Sequence, residues 1–196
     1  MITVKPIHKF YYHAYTDLVD NGYESEIDYT DSIPPLEKQS PIQFFNEYVW
    51  CVLNAGMREQ IARKMYDNYI TDYNIHKISH PSKRKAIIHV SDNYNTYFQH
   101  LCTSSDPVTY LETLPWIGGI TKYHLARNLG IDVVKPDRHL VRLANAFGYP
   151  IAHDMCLDIQ RDNNTRLGTI DFILWRYCNL HGMPEILVFI NDFIDS

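Results

Sequence analysis

Apolar residues recur at helical spacing through most of the chain, and the pattern is densest from Ile42 to about Leu53. There Phe44, Phe45, Tyr48, Val49, Val52 and Leu53 leave little polar face, which marks a helix buried on most sides, the expected central rod. Its start is written in Ser40-Pro41-Ile42-Gln43: serine caps, proline occupies the first turn where its missing N–H does no harm, and glutamine reaches back. Asn54-Ala55-Gly56-Met57 breaks the pattern, and Ile61, Met65 and Tyr69 then set one apolar side on a helix from Arg58 to about Tyr69. Nearer the start, Phe10, Tyr11, Tyr15 and Leu18 fit one side of a helix from Lys5 to about Asp20. The stretch from Asn21 to Gln39, holding Gly22, Ser32 and Pro34-Pro35, is expected to be an irregular acidic connection.

Further along, Lys83-Arg84-Lys85 opens a helical stretch through Ile87, Ile88, Tyr94 and Phe98; the basic triplet is either a solvated helix start or a phosphate contact. Asp106-Pro107 caps the next helix. Beyond Gly148 the candidates are Met155 to Gln160 and Gly168 to His181. In the second of these, Ile170, Phe172, Ile173, Leu174, Trp175 and Tyr177 leave almost no exposed face. Pro184 begins a last amphipathic helix carrying Ile186, Leu187, Phe189, Ile190 and Phe193. There is no internal repeat, no low-complexity run and nothing that argues for a sheet. The expected fold class is all-α.

At 196 residues the chain fits one generous domain or two small lobes, and an apolar fraction of 45% supports a core without a covalent staple. Cys51, Cys102, Cys156 and Cys178 lie far apart with no C-x-x-C pair, which suits reduced thiols in a cytoplasmic protein. No leader-like segment and no run approaching ~20 apolar residues is present, so membrane insertion is not expected. A net charge of −5 argues mildly against nucleic-acid binding, but the charge is unevenly spread. Asp17, Asp20, Glu24, Glu26, Asp28 and Asp31 crowd the first forty residues, whereas Lys122, Arg127, Lys135, Arg138 and Arg142 gather in one later stretch, and local field governs docking on phosphates. Fifteen tyrosines serve either a half-buried core or a base-stacking surface, the core for most of them.

That basic stretch, Leu111 to Ala144, is where chemistry is legible. Leu114-Pro115-Trp116-Ile117-Gly118-Gly119 forms a tight hairpin whose glycines accept positive φ and let the backbone approach a ligand closely. The helix from about Ile120, closed by Gly130, points its free N–H groups and dipole at the same place, where an anion such as phosphate fits. One helix length later Pro136 introduces Asp137 at the start of another helix.

The pattern resembles the helix-hairpin-helix DNA glycosylases, whose signature is a Leu-Pro-Gly-Val-Gly hairpin, a helix, and a Gly/Pro-rich loop with an essential aspartate. Leu114, Pro115, Ile117, Gly118 and Thr121 match, followed by Pro136-Asp137-Arg138-His139-Leu140 and Arg142. The likeness is specific over Leu111 to Ala144, loose over Pro41 to Tyr69 and Gly168 to Cys178, and absent from the first forty residues. It implies two helical lobes, 41–128 and 1–40 with 129–196, the active site in the cleft between them. Double-stranded DNA with an altered base is the implied partner of a monomeric, cytoplasmic, nucleoid-associated protein. Phosphate would be held by the Gly118, Gly119, Ile120 and Thr121 N–H groups. Asn54, Gly56, Met57 and Arg58 fall on the loop that meets the minor groove in the family, or form an ordinary interhelical turn. No cofactor is expected beyond a monovalent cation at the hairpin. Cys178 stands where the first cysteine of the iron–sulfur cluster found in some members would fall, but Glu185 occupies the second place, so no cluster is expected.

Excision of a base generates an oxocarbenium-like sugar, which a fixed carboxylate stabilises while it orients or deprotonates water. Asp137 suits that task; taken alone it is a plain N-cap, and the adjoining hairpin favours catalysis. Bifunctional members attack the sugar with a lysine at the position of Ile120, so a monofunctional enzyme is implied. Lys122, two residues later and turned about 200° away, is a phosphate contact or a solvated residue. Trp116 replaces the first hairpin glycine, as a hydrophobic plug or as a ring that stacks in a groove, and Lys122 replaces a small alanine. His139 is expected to hydrogen-bond backbone near the aspartate, with Arg138 and Arg142 on phosphate or in helix packing. Trp50, Tyr123, Trp175 and Tyr177 are candidate walls for an extruded base. Two rivals remain: an enzyme of this fold that remodels modified bases in viral DNA, and a non-catalytic hairpin module that clamps DNA.

Overall fold

A computed structural model describes residues 5–194, the side chains of residues 191 and 192 apart. Among these residues every regular element is helical, so the protein is all-α. In chain order the helices are α1 (Pro6–Asp20), α2 (Glu24–Ser32), α3 (Pro41–Asn54), α4 (Glu59–Ile70), α5 (Pro81–Ser91), α6 (Tyr94–Thr103), α7 (Pro107–Leu111), α8 (Thr121–Asn128), α9 (Arg138–Ala146), α10 (Ala152–Asn163), α11 (Leu167–His181) and α12 (Met183–Ile194). Short 3-10 turns lie at Leu36–Lys38 and Ile75–Lys77. The chain forms two compact units: Pro34–Ile131, and the two chain ends up to Ile33 and from Asp132 onward. None of the described helices is long and apolar enough to cross a membrane.

The unit made from the chain ends is built around α11, which packs against α1, α2, α9, α10 and α12. Ten of its residues, from Leu167 through Leu174 with Tyr177 and Cys178, are buried, the polar Thr169 and Asp171 among them. Phe10, Leu18, Leu140, Leu143, Met155 and Ile159 complete the core around it. Residues 21–39 depart from the irregular connection expected of them, because 24–32 form α2. Only Ile27 and Thr30 of α2 are buried, too few apolar positions to mark a helix by periodicity. Polar ties to α11 hold it instead: Glu26 pairs with Arg176, Thr169 Oγ1 donates to Asp31 Oδ1 at 2.8 Å, and the Arg166 guanidinium donates to Ile33 O at 2.9 Å.

In the Pro34–Ile131 unit α3 is the rod the sequence describes, with Phe44, Tyr48, Val49, Cys51, Val52 and Leu53 fully enclosed. Its capping box is complete: Gln43 N–H donates to Ser40 Oγ at 3.3 Å, and Ser40 N–H donates to Gln43 Oε1 at 2.8 Å. On α4 the inward residues are Ala62 and Tyr69, whereas Ile61 is 53% exposed, so the apolar side expected from Ile61 is displaced by one residue at that end. The stretch after Lys83 is two helices, broken at Asp92 and Asn93. Helix α8 closes as the glycine predicts. Gly130 takes φ +77°, Ile131 N–H donates to Ala126 O at 3.0 Å, and a Cβ on Gly130 would lie 2.0 Å from Pro34 O.

Candidate functional site

The hairpin between α7 and α8 is fixed from below. Leu111, Leu114 and Ile117 are buried, and Tyr48 OH donates to Pro115 O at 2.9 Å, with Ala86 O a second acceptor within reach at 3.3 Å. Ile117 N–H donates to Leu114 O at 3.1 Å, closing a turn with Pro115 second and a positive φ third, the type II arrangement. The third residue is Trp116, at φ +67°. Positive φ was expected at the glycines, yet neither Gly118 nor Gly119 adopts it. The left-handed position is held by a residue with a Cβ and an indole, and by neither glycine of the hairpin.

Beyond the turn, Gly118 faces open space, and Gly118, Gly119 and Ile120 are exposed. The N–H groups of Gly118, Gly119, Ile120 and Thr121 have no acceptor among the described residues, and the first amide of the segment bonded back is Lys122, to Gly118 O at 3.0 Å. Four adjacent donors at the start of α8 are what an oxyanion needs. Lys122 itself is tied within the motif rather than left for phosphate: its Nζ lies 2.5 Å from Glu112 Oε2, a bond that pushes the ammonium pKa up. Glu112 also lies close to Gly119, 3.6 Å from where a Cβ would stand. Ile120 is the N-cap of α8 and offers no nucleophile.

Lys83 departs furthest from expectation. The basic triplet points to a solvated helix start or a phosphate contact, but Lys83 is 2% exposed, and burial holds its ammonium pKa below the usual lysine range. Its Nζ donates to Leu53 O at 2.8 Å and Ala55 O at 2.7 Å, satisfying carbonyls at the negative end of α3, and lies 5.6 Å from the centre of the Trp116 ring. One buried cation therefore bonds the turn after α3 and lies within cation–π range of the hairpin's indole. In that turn Met57 N–H donates to Asn54 O at 3.2 Å and Gly56 takes φ +68°; Asn54 and Met57 are half-buried, and Arg58 is exposed as the N-cap of α4. The sequence-predicted loop and hairpin are thus joined through a residue that the pattern of the sequence did not single out.

In the other unit Asp137 is the N-cap of α9. Its Oδ1 accepts the His139 N–H at 2.9 Å and the Leu140 N–H at 3.2 Å, while Oδ2 lies 4.0 Å from Lys135 Nζ. The side chain is 13% exposed. The segment before it is anchored where Lys135 N–H donates to the carboxylate of Asp171, a buried residue of α11 that sequence reasoning missed. His139 does not make the backbone bond expected of it: its buried Nδ1 has no hydrogen-bond partner among the described residues. Burial lowers its pKa, against the opposing pull of Asp137. Arg138 and Arg142 are exposed one turn apart on α9. Burial, with the Asp137 charge nearby, pushes the Cys178 thiol up to about 12.

The four aromatic candidates divide between the units. Trp50 is 9% exposed and lies under Arg63, whose guanidinium carbon is 3.9 Å from the ring centre, with Tyr66 edge-on. Tyr123 is half-buried with Lys122 Nζ 5.5 Å from its ring centre. Trp175 packs with Phe172 and Arg176, and Tyr177 is a core residue whose hydroxyl meets His13 Nε2 at 3.1 Å. Among the described residues no group of three His, Cys, Asp or Glu side chains is placed to hold a metal ion. Comparison with protein-family models, with curated proteins and with solved structures finds no match to this chain.

Proposed function

We propose that this protein is a monofunctional DNA glycosylase. The row of amides from Gly118 to Thr121, without acceptors among the described residues, set on a turn anchored by buried Leu114 and Ile117 and near Lys83, which bonds the carbonyl of Ala55 in the Asn54–Arg58 loop, carries the reading. Main-chain donors grip one phosphate, and the Asp137 carboxylate stabilises the cationic sugar as the base departs. Capping serves that role: two amides fix Oδ1, so the orientation of the second oxygen is set before substrate arrives. With Ile120 where a Schiff-base lysine would stand, water attacks the sugar and the product is an abasic site in an intact strand.

Duplex oligonucleotides carrying a panel of altered bases, incubated with the protein and then treated with alkali, test this. Strand breaks that appear only after alkali are expected. Breaks before alkali, with borohydride trapping of protein on DNA, would overturn the monofunctional assignment.

The cap geometry also favours a second reading, a non-catalytic DNA clamp in which Asp137 merely starts α9. Asp137→Asn separates the two, because asparagine caps as well as aspartate but carries no charge. The enzyme loses about 10²–10³-fold in rate while keeping its fold; the clamp keeps both its fold and its DNA binding.

A further inference from the structure

We propose that Trp116 is a base-stacking residue and that the hairpin takes a nucleotide whose base has left the duplex stack. The ring would lie against that base while the free amides hold the adjoining phosphate. The proposal rests on the phosphate-site reading above and specifies the form of DNA that site accepts.

The backbone supplies the first ground. A bulky residue at φ +67° is an outlier that glycine would remove, and it persists because Tyr48, Leu114 and Ile117 fix the turn on both sides. Nothing in the fold of the turn itself asks for an indole. The ring's position is the second ground. A hydrophobic plug is buried, whereas Trp116 is 42% exposed, touched edge-on by His80 at 5.5 Å between ring centres and approached by Lys83 Nζ. The third ground is adjacency. Gly118 follows by two residues, so its Cα lies no more than about 7.6 Å from that of Trp116. An aromatic plane beside main-chain donors offers both halves of a nucleotide their usual partners, a π face and an anion site. A fully stacked duplex has no free base face to give the ring. Single-stranded or locally unstacked DNA does.

The test uses the full chain with two probes, a short oligothymidylate and a fully paired duplex, at one fixed salt concentration. Binding is followed by anisotropy of the labelled DNA and by tryptophan emission. Trp116→Leu keeps apolar bulk and the same backbone demand but has no aromatic face; Trp116→Phe keeps a face but removes the exposed fluorophore. Oligothymidylate should quench the wild-type emission, and Trp116→Phe should abolish most of the quench while weakening binding only slightly. Trp116→Leu should weaken oligothymidylate binding about 5- to 150-fold and duplex binding far less, with an unchanged circular dichroism spectrum. Equal affinity of Trp116→Leu and wild type for oligothymidylate, or a quench that survives Trp116→Phe, overturns the stacking role. If the wild type binds the duplex but oligothymidylate neither binds nor quenches, stacking alone fails. If it binds neither probe, the phosphate-site reading fails with it.

Discussion

Replacing Trp116 by alanine and, separately, by glycine isolates the cost of the hairpin's backbone. Both changes remove the same ring and the same contacts to His80 and Lys83, so packing losses cancel in the comparison. What remains is conformational. Holding an L-residue with a Cβ in the left-handed region costs about 1–2 kcal/mol. Glycine escapes that cost but loses about 0.4–1 kcal/mol more backbone entropy on folding. Taken at the middle of each range, the net balance favours the glycine protein by about 0.8 kcal/mol. For a chain of this length 1 kcal/mol moves the melting temperature about 2–4 °C, so the Trp116→Gly protein should melt about 1–4 °C above Trp116→Ala. Far-ultraviolet circular dichroism during heating reads this directly. Gly118→Ala is the control: Gly118 has no positive φ and open space around it, so that change should cost little or stabilise. A Trp116→Ala protein that melts at or above Trp116→Gly would refute the assignment of the left-handed position to Trp116.

Gly130→Ala combines a positive φ with a Cβ 2.0 Å from Pro34 O, so urea unfolding should show a loss of about 2–4 kcal/mol; a loss under about 1 kcal/mol would mean the neighbouring chain yields freely. Lys83→Met keeps the apolar stem but strands the Leu53 and Ala55 carbonyls, and should cost about 2–3 kcal/mol by the same measurement, where a near-zero effect would show that Lys83 is no strut. Burial pushes the Asp158 carboxyl up, but hydrogen bonds from Lys5 and Tyr149 outweigh it and hold the pKa below the ordinary carboxylate range. That stability is present above the unfolded value near pH 3.9 and disappears as pH falls through the folded one, so Asp158→Asn should flatten the acid limb of a melting-temperature profile; an unchanged limb would locate the acid sensitivity elsewhere.

What could be read from the sequence was whatever a few neighbouring residues decide together. The Ser40–Gln43 capping box, the Asp106 and Asp137 caps and the Gly130 closure each involve a side chain and backbone within a few residues, and local chemistry suffices to place them. The enclosed faces of α3 and α11 were legible because apolar residues surround those helices almost completely. Helix α2 was not, since its hold on α11 comes from the polar ties of Glu26 to Arg176 and Asp31 to Thr169 rather than from an apolar stripe. Lys83 was missed for a related reason: its partners are carbonyls some thirty positions back, and nothing local distinguishes it from Arg84 or Lys85. The displaced φ at Trp116 ran against residue preference, so a rule that assigns positive φ to glycine chose its neighbours instead.

The overall charge of −5 stood as an objection to any nucleic-acid role, and the placement of the charges changes its weight. Several of the early acids are already engaged inside their own unit: Glu26 with Arg176, Asp17 with His181 at 2.6 Å, and Asp31 with Thr169. Around Asp137 the balance is reversed, with Lys135, Arg138 and Arg142 all acting on His139 as neighbouring cations. At physiological salt a charge is screened beyond about 8 Å, so an approaching phosphate responds to that local excess rather than to the total. The hairpin works differently, because Lys122 is neutralised by Glu112 and the free donors there are main-chain amides. Under the proposed function, attraction by side-chain charge and recognition by backbone dipoles would be carried by separate parts of the chain, and a net charge of −5 would not bar a phosphate from the hairpin.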